Sequence, residues 1–160
     1  MKNNKYFKKL TLILLVCFVQ FISAQVPSYV PTNGLVGYWP FNGNTNDISG
    51  NNFNLGNNAS TLTNDRFGNL NSAYLFDGIY SFMDVPSNNA LSLTNNMTLS
   101  VWFYCNSTSQ TQQGILGKGT SYKESGYSLV YNYTDTSNTV GTGFYLHTAT
   151  TDKFVNIPTA

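Results

Sequence analysis

Nine residues, Met97 to Cys105, constrain the fold of this chain most tightly. They read Met-Thr-Leu-Ser-Val-Trp-Phe-Tyr-Cys. In a β-strand successive side chains point to opposite faces. Met97, Leu99, Val101, Phe103 and Cys105 then share one wholly apolar face, and Thr98, Ser100, Trp102 and Tyr104 share the other. A strand of this kind lays one face on a core and leaves the other wet or covered by loops. Its β-branched and aromatic content agrees with that period. The stretch predicts an inner strand of an antiparallel sandwich, and it raises the question of what the second face serves.

The rest of the chain supports an all-β reading. Asn42 to Asn58 holds eight Asn, one Asp and three Gly. Such a run cannot build a core, but it favours Asx-turns and left-handed residues. Flanked by strands, it reads as an ordered loop. Leu35 to Phe41 reads as a first strand, ended by Pro40. Ser72 to Asp77 and Ser81 to Val85 predict a hairpin turning near Asp77-Gly78. Further strands are expected over Gly114 to Lys118, Gly126 to Tyr133, Thr142 to His147 and Lys153 to Ile157. A polar loop is expected over Gly119 to Gly126. No helical stretch and no internal repeat stand out. Short strands separated by turn signals indicate a sandwich or jelly roll.

The first residues predict export. Lysines precede an apolar run from Leu10 to Ile22, followed by Ser23-Ala24-Gln25. A basic start, a short apolar stretch and a small residue before the cut describe a signal peptide over residues 1–24. The run is short for a membrane span, which needs about 20 apolar residues. Pro27 and Pro31 mark residues 25–33 as a linker. Four of the eight basic residues lie within the first nine positions; the other four stand against seven acids, a balance of −3. No basic stripe is left for nucleic acid. After cleavage only Cys105 remains of the two cysteines. The chain then has no internal disulfide, and no zinc site of ordinary spacing.

Residues 34–130 resemble the LamG-like jelly-roll family of secreted bacterial proteins, within the concanavalin A-like lectin and glucanase superfamily. The resemblance lies in an ordered set of motifs. These are Gly34 to Asn44 (Gly-Leu-Val-Gly-Tyr-Trp-Pro-Phe-Asn-Gly-Asn), Asn46 to Asn51, Asp65 to Asn69 and Ser72 to Gly78. Val85-Pro86, Met97 to Trp102, Ile115 to Lys118 and Gly126 to Leu129 follow. It implies an antiparallel two-sheet jelly-roll sandwich over residues 34–160, incomplete because the family's later strands do not appear before Ala160. Downstream domains are the corresponding expectation.

Three kinds of chemistry bear on these residues. Glycoside hydrolysis needs two carboxyl groups flanking the bond. The chain has one Glu, Glu124, and scattered Asp residues, with His147 its only histidine. No catalytic residue is therefore assigned. Calcium takes six to eight oxygens, and the Asn-rich loop supplies many. Asn42, Asn44 and Asp47 are among those donors, and the resemblance implies a structural calcium with Asp47 and Asp77 as the matching acids, against the alternative that these residues simply cap turns. Sugar binding would use stacking rings, and Trp102, Tyr104, Tyr122, Tyr127 and Tyr131 are the candidates. The alternative is that the large aromatics pack a core. The expected role is a secreted or cell-surface recognition module, non-catalytic, whose partner is a glycan or other cell-surface polymer. A structural or adhesive domain of a larger secreted protein is the alternative, as is an accessory domain of a secreted hydrolase.

Overall fold

The computed structural model describes residues 25–93, 96–105, 113–119, 126–134, 140–147 and 152–158. Residues 1–24, where a signal peptide is expected, and Tyr122 and Glu124 lie outside the described residues. The chain is all-β, with several small sheets and, among the described residues, no α-helix. It divides into two compact units.

The first unit comprises residues up to Leu55 together with Leu62–Tyr74. Leu35 to Phe41 was expected to be a strand, and it joins no ladder. Its main chain is bonded instead by the Asn-rich loop that follows. Asn51 Nδ2 donates to the carbonyls of Leu35 at 3.1 Å and Val36 at 2.9 Å. The Tyr38 N–H donates to Asp47 Oδ1 at 2.9 Å, and its carbonyl accepts the Ile48 N–H at 2.9 Å. The Trp39 indole N–H donates to the Phe53 carbonyl at 2.7 Å. Pro40 offers no N–H, and Phe41 takes the left-handed region at φ 59°. Together they end any extension there. The Phe41 ring meets Tyr74 edge-on with centroids 5.4 Å apart. The strands β2 (Thr61–Thr63) and β3 (Ala73–Leu75) pair with one another.

The second unit comprises Gly56–Thr61 and the residues from Leu75 onward. β1 (Gly56–Asn58) pairs antiparallel with β4 (Phe82–Asp84). The expected hairpin between residues 72–77 and 81–85 is therefore corrected, because β3 and β4 belong to different pairs. The reason lies in Asp77. Its Oδ1 accepts the N–H groups of Ile79, Tyr80 and Ser81 at 2.8–2.9 Å. That coil of three captured amides replaces the two-residue turn that a tight hairpin requires.

A four-stranded antiparallel sheet dominates the second unit, in the order β5 (Gln113–Lys118), β6 (Gly126–Thr134), β7 (Val140–His147), β8 (Asp152–Pro158). All four strands were expected. The register sets Leu116, Leu129, Phe144 and Val155 in one row across the sheet. The adjacent row is Gly117, Ser128, Tyr145 and Phe154, on the opposite face. On that second face the Tyr145 and Phe154 rings lie 4.4 Å apart, and the Phe154 ring occupies the space where Gly143 would carry a Cβ. Val130 beside it is 4% exposed. Burying such a side chain contributes about 1.5–3 kcal/mol.

Met97 to Cys105 is corrected in one respect and kept in another. The stretch joins no ladder among the described residues. Its burial alternates except at Phe103: Met97, Leu99, Val101 and Cys105 are half-buried, Thr98, Ser100, Trp102 and Tyr104 are exposed, and Phe103, expected on the covered face, is exposed as well. Met97, Thr98 and Leu99 line an open cleft of about 350 Å³ with Leu129 and Phe144 of the sheet. Phe103 meets Tyr131 edge-on at 5.8 Å, and the Cys105 thiol donates to Gln113 Oε1 at 3.6 Å. The segment thus packs its apolar side chains over the first face of the sheet without adding a backbone ladder.

Candidate functional site

Because the segment buries alternate side chains, it must present the others. Trp102 is 77% exposed and Tyr104 89% exposed. Being two residues apart on one side of an extended chain, their attachment points lie about 7 Å apart. Phe103, between them, turns toward Tyr131 and is 44% exposed. Two large aromatic residues are thus exposed on a segment whose Met97 and Leu99 meet the sheet. Two other candidate stacking residues sit elsewhere. Tyr127 is 6% exposed, and its hydroxyl donates to the Leu91 carbonyl at 3.1 Å, so it is core. Burial pushes its phenol up. Tyr131 is half-buried against Phe103. Their strand sets both on the face that the segment covers.

The candidate calcium residues fall in two places. Asp47 is buried at 6% exposure. Its Oδ1 accepts the Tyr38 and Ser49 N–H groups at 2.9 and 2.8 Å. Its Oδ2 accepts the Ser49 hydroxyl and the Phe53 N–H at 2.8 and 3.0 Å. Burial alone would raise the carboxyl's pKa, but the donors from Tyr38, Ser49 and Phe53 outweigh it and hold it below the usual carboxylate range. A carboxylate has about four lone-pair sites, and all four are taken. Asn42 and Asn44 are engaged in the same loop: the Asn42 carbonyl accepts from Asn44 Nδ2 at 3.4 Å, and Asn44 Oδ1 accepts the Asn46 N–H at 2.9 Å. With its four sites filled, the Asp47 carboxylate does not fit a calcium ligand, which would need those oxygens free. Among the described residues no three His, Cys, Asp or Glu side chains converge.

Asp77 belongs to the second unit. Its Oδ1 accepts the Ser81 hydroxyl at 2.8 Å besides the three amides, and its own N–H donates to Ser81 Oγ at 2.6 Å. The Ser81 and Ile79 N–H groups, with the Ser81 hydroxyl, hold its carboxyl far below the usual range. The turn it organises carries Ile79 and Tyr80 at 75% and 78% exposure. Sequence reasoning missed this apolar tip. The spacing Asp77 to Ser81 was the available signal, since Asp and Ser both bond nearby amides. A parallel device occurs in the first unit. Asp65 Oδ1 accepts the N–H groups of Phe67 and Asn69, each at 2.9 Å, and Oδ2 accepts Asn69 Nδ2 at 2.9 Å.

Neither family models, curated proteins nor solved structures give a match to this chain.

Proposed function

We propose that the chain is a secreted, non-catalytic recognition module built on a jelly-roll sandwich, which binds a carbohydrate or other cell-surface polymer through Trp102 and Tyr104. The observation that carries it is the exposure of Trp102 at 77% and Tyr104 at 89% in a segment whose Met97, Leu99, Val101 and Cys105 are half-buried. Exposed aromatic faces suit the apolar faces of sugars, and a phenol adds a hydrogen bond. The row of half-buried neighbours fixes the segment, so little ordering entropy is lost on binding. The proposal draws on no calcium: the Asp47 oxygens accept from Tyr38, Ser49 and Phe53. An insoluble β-linked polysaccharide panel and a glycan array test the proposal. Each ring is worth about 1 kcal/mol, so a Trp102→Ala, Tyr104→Ala variant should bind a positive polysaccharide roughly 30-fold more weakly. Unchanged retention by that double variant would discard the pair as the site.

A second reading, a structural or adhesive domain within a larger secreted protein, is favoured by the Asp77 turn. Large apolar residues displayed together mark contact surfaces. Loss of adhesion on Ile79→Ser, Tyr80→Ser, with polysaccharide retention absent from the start, would favour it.

A further inference from the structure

Three pairs in the chain have the composition that cyclises spontaneously: Asn33-Gly34, Asn42-Gly43 and Asp77-Gly78. Glycine matters because no Cβ hinders approach of its nitrogen to the preceding side chain. We propose that Asn33 is a site of spontaneous deamidation in the folded protein, and that the fold closes the two other pairs by different means.

The reaction needs the Gly34 main-chain nitrogen to lose its proton and attack the Asn33 side-chain carbonyl carbon. A C–N bond forms, the bond to Nδ2 breaks, and ammonia leaves. Water then opens the succinimide at either carbonyl, giving aspartate or isoaspartate. One water enters, one ammonia departs, and nothing is oxidised.

At Asn42-Gly43 the attacking nitrogen is occupied. The Gly43 N–H donates to the Phe41 carbonyl at 3.0 Å and to the Asn71 carbonyl at 2.8 Å. Attack requires both bonds to open. At Asp77-Gly78 the leaving group is the obstacle. A carboxyl must be protonated to lose water, and Asp77 Oδ1 accepts three N–H groups and a hydroxyl that favour the ionised form. Asn33-Gly34 has neither protection. Both residues are exposed, at the tip of a reverse turn closed by the Leu35 N–H to the Thr32 carbonyl at 3.2 Å. Gly34 has φ 77°, as the third residue of a type II turn does. In that turn the central amide points away from the ring. No acceptor holds the Gly34 N–H among the described residues. The new carboxylate would stand ahead of the carbonyls of Leu35 and Val36, leaving their bonds to Asn51 intact. The aspartate isoform, whose main chain is unaltered, should therefore keep the parent's melting temperature.

Incubation of the folded protein in mildly alkaline buffer, followed by peptide mass mapping, tests this. The Asn33 peptide should gain the mass of an amide-to-acid exchange and split into aspartate and isoaspartate forms. The Asn42 peptide should convert roughly tenfold or more slowly, because its reaction waits on local opening. In denaturant the two should converge. Asn33→Gln should suppress the acidic isoform. Equal rates at Asn33 and Asn42 in the folded protein would overturn the proposal. So would an Asn33 peptide that converts only in denaturant, or an acidic isoform undiminished by Asn33→Gln.

Discussion

The loop of residues 35–55 and the sheet β5–β8 solve the same problem in opposite ways. Both must satisfy main-chain N–H and C=O groups that water reaches poorly. The sheet does so with main-chain partners, strand against strand, along three consecutive antiparallel ladders. The loop does so with side chains. Asp47, Ser49, Asn51 and Asn54 among them bond the main chain at Val36, Tyr38, Asp47 and Phe53. A ladder spreads its bonds over many residues, any of which tolerates a change of side chain. A side-chain scaffold concentrates them, so one substitution removes several at once. The difference predicts where each region breaks.

The largest effect should come from Asp47→Ala. It removes four accepted bonds and strands the N–H groups of Tyr38, Ser49 and Phe53. Each unsatisfied buried donor costs about 1–3 kcal/mol. Partial rehydration makes a total of about 3–5 kcal/mol reasonable for breaking a buried charged cluster. Amide exchange should quicken at Tyr38, Ser49 and Phe53, and remain unchanged at Leu129 and Phe144. A comparable loss in the sheet would break the contrast. Acid should act on the same point. The folded Asp47 carboxyl lies below its unfolded value, so its contribution is present above the ordinary carboxylate range and is lost as pH falls through the folded value. An acid titration followed by the Tyr38 and Phe53 amide resonances should show the loop loosening, and Asp47→Asn should flatten that dependence.

The same contrast decides what could be read from the sequence. The four strands of the sheet were readable because their alternation of side chains is the physical cause of their pairing. Leu129 and Val130 must part to opposite faces whatever the neighbours do. Asp47 was readable as a site of dense oxygen chemistry, but not as to which kind. Metal coordination and amide capture ask for the same residue types, and only the positions of Tyr38, Ser49 and Phe53 distinguish them. Leu35 to Phe41 misled because its apolar residues have the composition of a strand, while the residues that bond it lie up to 16 positions on in the chain. Met97 to Cys105 showed the burial period at every position but Phe103, which is exposed. It gave no ladder, since alternation reports which side chains are covered and not what the main chain meets. Tyr127 and Trp102 show the same limit, because aromatic identity alone does not distinguish a core ring from a displayed one.

In the sheet, the corresponding weak point is steric. Gly143 lies under the Phe154 ring, so Gly143→Ala would force that ring aside. Overpacking of this kind costs about 1–3 kcal/mol. Denaturant melting should show the loss, and Phe154→Ala should relieve it in the double variant, since residues in contact do not add. If Gly143→Ala were neutral alone, the ring would be free to move, and the second face of the sheet would be looser than its row of Ser128, Tyr145 and Phe154 implies.

The smallest effect sharpens the contrast most. Tyr127→Phe deletes a single side-chain bond in the ladder region, from the phenol to the Leu91 carbonyl at 3.1 Å. The ring keeps its burial, and the half-buried Leu91 leaves its carbonyl within reach of water. The cost should be about 1 kcal/mol, the ordinary net value of one neutral hydrogen bond. Ladder amides on either side of Tyr127 should exchange as before, because their acceptors are main-chain carbonyls. If this one hydroxyl instead proved as costly as the Asp47 carboxylate, the sheet too would depend on a side-chain clasp. The opposition between a distributed ladder and a concentrated scaffold would then fail at its strongest strand.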